Sequence, residues 1–445
     1  MRICVVYDCL FPYTIGGGER WYRNLAERLA EEGHEVTYLT LRQWQRGERV
    51  EIDSRVRVVT AGPRMALYTA GGRRRILPPL VFGLGTLLHL LRRGRDYEVV
   101  HTCAFPYFSL LAAALVRPLR GFALEVDWFE VWSRDYWLDY LGGPGGRIGA
   151  FVQRLCARVP QRAYCFSELH AARLREEGLR GAVTVLRGLY AGGPQAAAPA
   201  STSGDGTDAA TDTAAAATTA AAATLAPDGR ESSPLVLFAG RLIAEKQATL
   251  GVAAIAIAAE RIDRLRGEFL GDGPEREALQ RAIAEHGLQD RVTAPGFADS
   301  ATVDRDMRAA MCMLLPSRRE GYGMVVVEAA ARGTPSVVVA GEDNAATELI
   351  EEGINGTVAA RSEPAAIAEA IARVHAAGAT MRASTAAWFA QNAERLSLES
   401  SLRTVLAGYA SPGAPAAAPG SGGSARSTPA AAAAAADSGE PSARA

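Results

Sequence analysis

At 445 residues the chain is too long for one ordinary hydrophobic core, and two domains of about 150 to 200 residues are expected. Its 48% hydrophobic and 22% charged residues exclude a chain that is disordered throughout, and a net charge of −1 removes the electrostatic basis for nucleic acid as the main partner. The cations are unusual in kind: of 48 Lys and Arg, Lys246 alone is a lysine.

Residues 1–7 form one short strand-like run, too short for the apolar core of a signal peptide. Further β-branched runs follow at 36–40, 56–60, 98–102, 123–126 and 163–166, with helical patterns such as 18–32 and 80–93 between several of them. Such alternation predicts parallel sheet with helices on both faces. The longest apolar stretch, 76–91, is interrupted by Pro78, Pro79 and His89 and falls short of a bilayer span. Residues 191–233 are mostly Ala, Thr, Gly, Asp, Ser and Pro, with Leu225 as the single large aliphatic. A segment so poor in apolar surface is expected to be a linker with no core of its own. Alternation resumes at 235–239, 268–270, 311–315 and 336–340, and a second Ala/Gly/Ser/Pro-rich segment closes the chain. The expected organisation is a domain over 1–190, a linker over 191–233, a second domain over 234–380, helices over 381–409 with a return to the first domain as an option, and a tail over 410–445. Cys4, Cys9, Cys103, Cys156, Cys165 and Cys312 form no CxxC pair, which predicts reduced thiols, no zinc site and a cytoplasmic location.

Three segments carry chemistry. Glu320-Gly-Tyr-Gly-Met-Val-Val-Val-Glu328 follows the 311–315 strand, with a loop at 316–323 and a helix at 324–332. In open α/β sheets ligands bind beyond the carboxyl ends of strands, which is where this loop falls. Gly321 and Gly323 let backbone approach a ligand, and ionised Glu320 and Glu328 accept hydrogen bonds from sugar or ribose hydroxyls. Gly240-Arg241-Leu-Ile-Ala-Glu245-Lys246 also follows a strand, and two fixed cations suit a departing diphosphate. A lysine kept in an arginine-rich chain points to a need for a compact ammonium. Ile15-Gly16-Gly17-Gly18-Glu19 opens the first helix with a glycine-rich turn that admits a phosphate or sugar. It lacks GxGxxG spacing, and no acidic residue ends the second strand, which counts against NAD.

These segments, together with "FLGDGPEREAL" and "ATELIEEGINGTV", resemble the retaining glycosyltransferases of family 4, glycosyl transferases group 1, with the GT-B architecture. That resemblance implies two Rossmann-like doubly wound parallel-sheet domains facing a central cleft. It also implies a nucleotide-sugar donor, no metal or other cofactor, and a role in cell-surface polysaccharide or glycolipid synthesis. Arg241 and Lys246 would hold the diphosphate, and Glu320 the donor sugar. Glu328 would take the ribose, and the backbone of Gly321, Tyr322, Gly323 and Met324 would assist. Pro295, Gly296 and Phe297 would frame the base beside Gly240, with Gly17 and Gly18 approaching from the other domain. His101 matches a position near the reacting sugar carbon, and a structural histidine is the alternative. Two pairs depart from the family pattern, Val126-Asp127 and Arg187-Gly188, and both bear on the acceptor.

On the acceptor side, Trp128, Trp132, Tyr136 and Tyr140 recur every four residues, which predicts one aromatic stripe on a helix. It is either core or an acceptor platform, with Asp127, Trp128 and Glu130 as the candidate contacts. Arg73 to Arg75 and Arg92, Arg93 and Arg95 flank the 76–91 run. That leaves two options: a solvated domain helix, or peripheral contact with the inner face of a membrane carrying a lipid-linked acceptor. Asp304-Arg-Asp306 is a DxD string, but on a helix its carboxylates diverge, so no metal site is expected. A nucleotide-sugar epimerase and a non-catalytic nucleotide-sugar-binding protein share the donor-site residues and stay as alternatives. Deleting 200–228 is expected to leave the circular dichroism spectrum and nucleotide binding unchanged, and loss of the folded signal would show that the segment packs.

Overall fold

The computed structural model describes residues 1–192 and 233–410, except 15, 46, 68 and 70–73. The linker and tail expected above, Ile15 of the glycine-rich turn and Arg73 therefore lie outside the described residues, apart from the few flanking positions of each segment.

The first domain has strands β1 (Arg2–Val6), β2 (Glu35–Leu41), β3 (Val56–Gly62), β4 (Val99–Cys103), β5 (Ala123–Trp128), β6 (Arg162–Cys165) and β7 (Val183–Val185). All pair in parallel, in the order β3-β2-β1-β4-β5-β6-β7. The second domain has β8 (Leu235–Ala239), β9 (Arg266–Leu270), β10 (Val292–Gly296), β11 (Cys312–Leu315), β12 (Arg319–Glu320), β13 (Ser336–Val339), β14 (Asp343–Asn344) and β15 (Gly356–Ala359). Its main sheet runs β10-β9-β8-β11-β13-β15, again parallel, while β12 and β14 pair separately. Helices α1 (Gly17–Glu31), α2 (Leu77–Arg93), α3 (Phe108–Arg120), α4 (Arg134–Ala157) and α5 (Glu168–Glu176) cover the first sheet. Helices α6 (Ala248–Ala258), α7 (Arg276–Glu285), α8 (Ser300–Ala309) and α9 (Met324–Ala330) cover the second, followed by α10 (Pro364–Leu396) and α11 (Leu398–Ala410).

Runs such as Ile3 to Val6 and Cys312 to Leu315 are buried end to end because helices cover both sheet faces. Helix starts follow side-chain chemistry: Ser133, Ser167 and Asp299 accept the backbone N–H three residues on and cap α4, α5 and α8. Each sheet reverses its strand order once, between β1 and β4 and between β8 and β11. The loops leaving β8 and β11 thus emerge side by side, and ligands of doubly wound sheets bind at such a point.

The two units share a core. α10 is kinked at Gly378; Ile367, Ile371 and Val374 pack in the second domain, whereas Trp388, Phe389 and Leu396 join the first domain's cluster. α11 stays with the first domain, where Glu399 meets Arg28 of α1 at 2.7 Å and the Tyr409 hydroxyl hydrogen-bonds His101 Nδ1. All six cysteines are free and buried.

The aromatic stripe is corrected. Trp128 ends β5, Trp132 lies in the following loop, and only Tyr136 and Tyr140 are on α4, so the four-residue recurrence crosses a strand end. Tyr409 is 2% exposed and buttresses β4 from α11. Tyr409→Ala is expected to cost about 3 kcal/mol or more, read as a lower urea midpoint at constant slope. Tyr409→Phe, which loses only the hydroxyl, is expected to cost about 1 kcal/mol.

Candidate functional site

The loops leaving β8 and β11 bring two of the expected residues together. Lys246 closes a short 3-10 turn, Ala244–Lys246, and its Nζ donates to Glu320 Oε1 at 2.5 Å. Glu320 is 8% exposed and sits on β12, where alternation sends Arg319 the opposite way. Arg318 N–H donates to the Glu245 carbonyl at 2.9 Å, so the two loops are tied by backbone as well. Gly240, at the end of β8, bonds back to Leu270. Arg241 beside it is exposed. Its charge is among those that oppose the rise that burial imposes on the Glu19 carboxyl of α1.

The loop's glycines are required by space. A Cβ on Gly321 would lie 2.7 Å from the Phe129 carbonyl oxygen, because the first domain meets the loop there. Gly323 has φ 93°, and a Cβ would sit 2.6 Å from that of Ala346. Met324 then opens α9 opposite Gly17 of α1, where a Cβ would come within 3.2 Å of its sulfur. Gly18 packs on Tyr7 and Phe129. α9 is seven residues long, two fewer than expected, and carries Glu328 in its second turn. Burial pushes the Glu328 carboxyl above the usual glutamate range, with Arg332 and Arg20 of α1 acting against the rise. The Tyr322 ring turns away into the domain interface, where its hydroxyl donates to the Arg187 carbonyl at 2.5 Å. Pro295, Gly296 and Phe297 lie at the end of β10, two strands from β8, a lateral offset of about 10 Å. Phe297 is 78% exposed there.

The first domain's candidates fare differently, and three need correction. His101 is fully buried, with Nδ1 bonded to Tyr409 and Nε2 3.0 Å from Asp127 Oδ1. It presents no surface to a sugar carbon. Asp127 is equally buried and accepts from Trp21 Nε1 at 2.7 Å, so it reads no acceptor hydroxyl. Trp128 is 0% exposed and donates to Gln161 at 2.9 Å. All three sit on the central strands β4 and β5, where both faces are covered.

Glu130, just beyond β5, does face the second domain. It pairs with Arg319 and accepts from Trp132 Nε1 at 2.6 Å. The Arg319 guanidinium stacks on Trp132 at 4.9 Å and Tyr136 at 4.6 Å. Burial pulls its pKa down to about 10. Sequence reasoning missed Arg319, and also Asp8, which ends fully buried against Arg74 behind the glycine-rich turn. An arginine preceding Glu320 and an aspartate just past β1 were the available signals. The DxD carboxylates are consumed in ion pairs, Asp304 with Arg308 and Arg332 and Asp306 with Arg305.

Comparison with known proteins bears on the fold and the family. The family described as "Glycosyl transferases group 1" matches residues 226–394, and "Glycosyl transferase 4-like domain" matches residues 16–188. Alpha-D-kanosaminyltransferase of Streptomyces kanamyceticus is 33% identical over 33% of this chain and 37% of its own length. The 2-deoxystreptamine glucosyltransferase of the same organism is 36% identical over 24% of this chain, and the match spans 27% of that relative. D-inositol 3-phosphate glycosyltransferase of Acidothermus cellulolyticus is 26% identical over 81% of this chain and 78% of its own. Among solved structures, sucrose-phosphate synthase of Thermosynechococcus elongatus superposes with a TM-score of 0.69 at 20% identity, covering 92% of this chain and 98% of that one. Anabaena HepE in complex with UDP superposes with a TM-score of 0.63 at 17% identity, covering 92% and 100%. Two parallel-sheet domains meeting at their switch-point loops are the GT-B fold, and the two families together match most of the chain, which belongs to the group 1 glycosyltransferases of family 4.

Proposed function

We propose that this protein is a retaining glycosyltransferase that moves a sugar from a nucleoside-diphosphate sugar to an acceptor hydroxyl, without a metal. The observation that carries the reading is the Lys246–Glu320 contact at the switch point. In transfer, the bond from the anomeric carbon to the diphosphate breaks while the bond to the acceptor oxygen forms, and the acceptor's hydroxyl proton passes to the departing phosphate. Negative charge then gathers on the departing phosphate. On this reading Arg241 and Lys246 meet it, and preorganised charge of this kind accounts for much of enzymatic rate enhancement. Glu320 accepts from donor-sugar hydroxyls and Glu328 from the ribose. The metal-free part rests on those two cations taking the role a divalent ion would fill. Retention rests on the family resemblance. The UDP complexes of HepE make a uridine nucleotide the first donor to test. The aminocyclitol and inositol names of the curated relatives make a polyhydroxylated small molecule the first acceptor class.

A thermal-shift panel of UDP, GDP, ADP and dTDP is expected to show stabilisation by one base, and silence throughout would favour a protein that binds no nucleotide. Donor supplied with no acceptor is expected to be recovered as the same sugar, whereas a changed sugar would establish an epimerase. Lys246→Ala is expected to lower turnover roughly 10²-fold or more with the fold intact, as for loss of one charge contact to the transition state. Unchanged turnover would remove Lys246 from the site.

Glu328 adds a pH signature. Its pKa is raised by burial, and the ionised form is the one that accepts from ribose hydroxyls. Nucleotide affinity is therefore full above that raised pKa and falls as pH drops through it, at a higher pH than an ordinary glutamate of about 4.3 would show. Calorimetric titration at stepped pH checks this, and Glu328→Gln is expected to bind more weakly with that acid limb gone.

A further inference from the structure

Apart from Met1 and Phe297, every large apolar side chain exposed among the described residues lies at the start of α2 or on α2, α3 and α4. The crossovers β3 to β4, β4 to β5 and β5 to β6 all run the same way across the sheet. Right-handed connections therefore place α2, α3 and α4 side by side on one face, with α1 on the other. Contacts agree: Gly83 of α2 abuts Phe108 of α3, and Arg117 of α3 donates to the Pro160 carbonyl just past α4.

The exposed residues follow helical spacing. Leu77, Leu80, Leu84 and Leu88 form a stripe on α2, opposite the buried Phe82, Thr86 and Leu90. Ile148, Phe151 and Leu155 repeat the pattern on α4, with Phe151 67% exposed, and Leu115, also 67% exposed, lies on the α3 between them. Apolar surface gathered on one face, when scattered exposure is the norm, marks an interaction surface.

Charge identifies the partner. α2, α3 and the part of α4 beyond its break at Gly142 contain no Asp or Glu, but carry Arg92, Arg93, Arg117, Arg120, Arg147 and Arg154. The chain as a whole is nearly neutral at −1, so this face is set apart. Arg93 and Arg154 pair with Asp96 and Glu177 at the margins, weak contacts in water. A second copy meeting this face symmetrically would set arginine against arginine. No helix among the described residues is long and apolar enough to cross a membrane. We infer that the outer face of α2, α3 and α4 rests on an anionic lipid bilayer, its leucines and Phe151 entering the headgroup boundary and its arginines meeting lipid phosphates.

The test uses the full chain sedimented with vesicles of phosphatidylcholine alone, or of phosphatidylcholine with phosphatidylglycerol. Binding to the anionic vesicles is expected, with little to the neutral ones, and it should weaken as salt rises. A Leu84→Ser, Phe151→Ser double variant is expected to lower the partition coefficient roughly tenfold or more, and Arg92→Gln with Arg147→Gln to do so for anionic vesicles. Both pairs are solvent-exposed and lie outside the donor loops, so the melting midpoint and nucleotide binding serve as controls. No vesicle binding, or equal binding by wild type and both variants, would overturn the inference. So would dimerisation in analytical ultracentrifugation that the Leu84/Phe151 variant abolishes, which would assign the face to a second copy.

Discussion

The Arg319 guanidinium is 15% exposed, stacked on Trp132 and Tyr136 and paired with Glu130, all three from the opposite domain. A cation this desolvated is expensive unless its partners stay in place, since removing one leaves an uncompensated buried charge. Three groups from the first domain must therefore hold one position relative to one residue of the second. Neighbouring contacts set the same register: Arg173 with Asp343, Tyr136 with Glu245 at 3.1 Å, and Tyr322 with the Arg187 carbonyl. Glu348 also accepts from the free N–H groups opening α5 at 2.7 and 2.8 Å.

Arg319 and Glu320 are adjacent on a two-residue strand, so their side chains point to opposite sides. One anchors the domain interface while the other turns to Lys246. The same backbone that fixes the relation of the domains thus positions the carboxylate of the candidate donor site. Packing leaves little slack: a side chain at Gly321 would strike Phe129, and one at Gly323 would strike Ala346. Any group bound between Lys246 and Glu320 is read against a frame set by both domains.

Much of this was legible in the sequence, for identifiable reasons. Strands buried on both faces must be apolar and β-branched, so the runs at 235–239 and 336–340 stand out. Lys246 and Glu320 were legible because both follow such runs, and a parallel sheet exposes its loops at strand ends. Contacts between distant segments were not. Nothing local distinguishes Arg319, bound to Glu130, from Arg318, which is solvent-exposed beside Asp139. Trp128 misled because its spacing from Trp132 matches a helical turn, although a strand ends between them. His101 looks catalytic by type, and Asp127 looks like an acceptor contact. Their place on central strands, closed over by Tyr409 from a helix some 300 residues away, makes them core instead.

The single lysine can now be set in its physical context. Lys246 and Glu320 neutralise each other, so neither charge is stranded near the switch point. On the proposed reading a donor substitutes for both halves of that pair, its diphosphate taking the ammonium and its hydroxyls the carboxylate. A compact ammonium on a flexible stem can leave a carboxylate for a phosphate a short distance away. An arginine, locked to Glu320 through a planar fork of two hydrogen bonds, would have to break both before meeting the leaving group. Lys246→Arg would then keep the charge yet slow exchange, which gives a physical reason for a lysine at this position in a chain otherwise furnished with arginine.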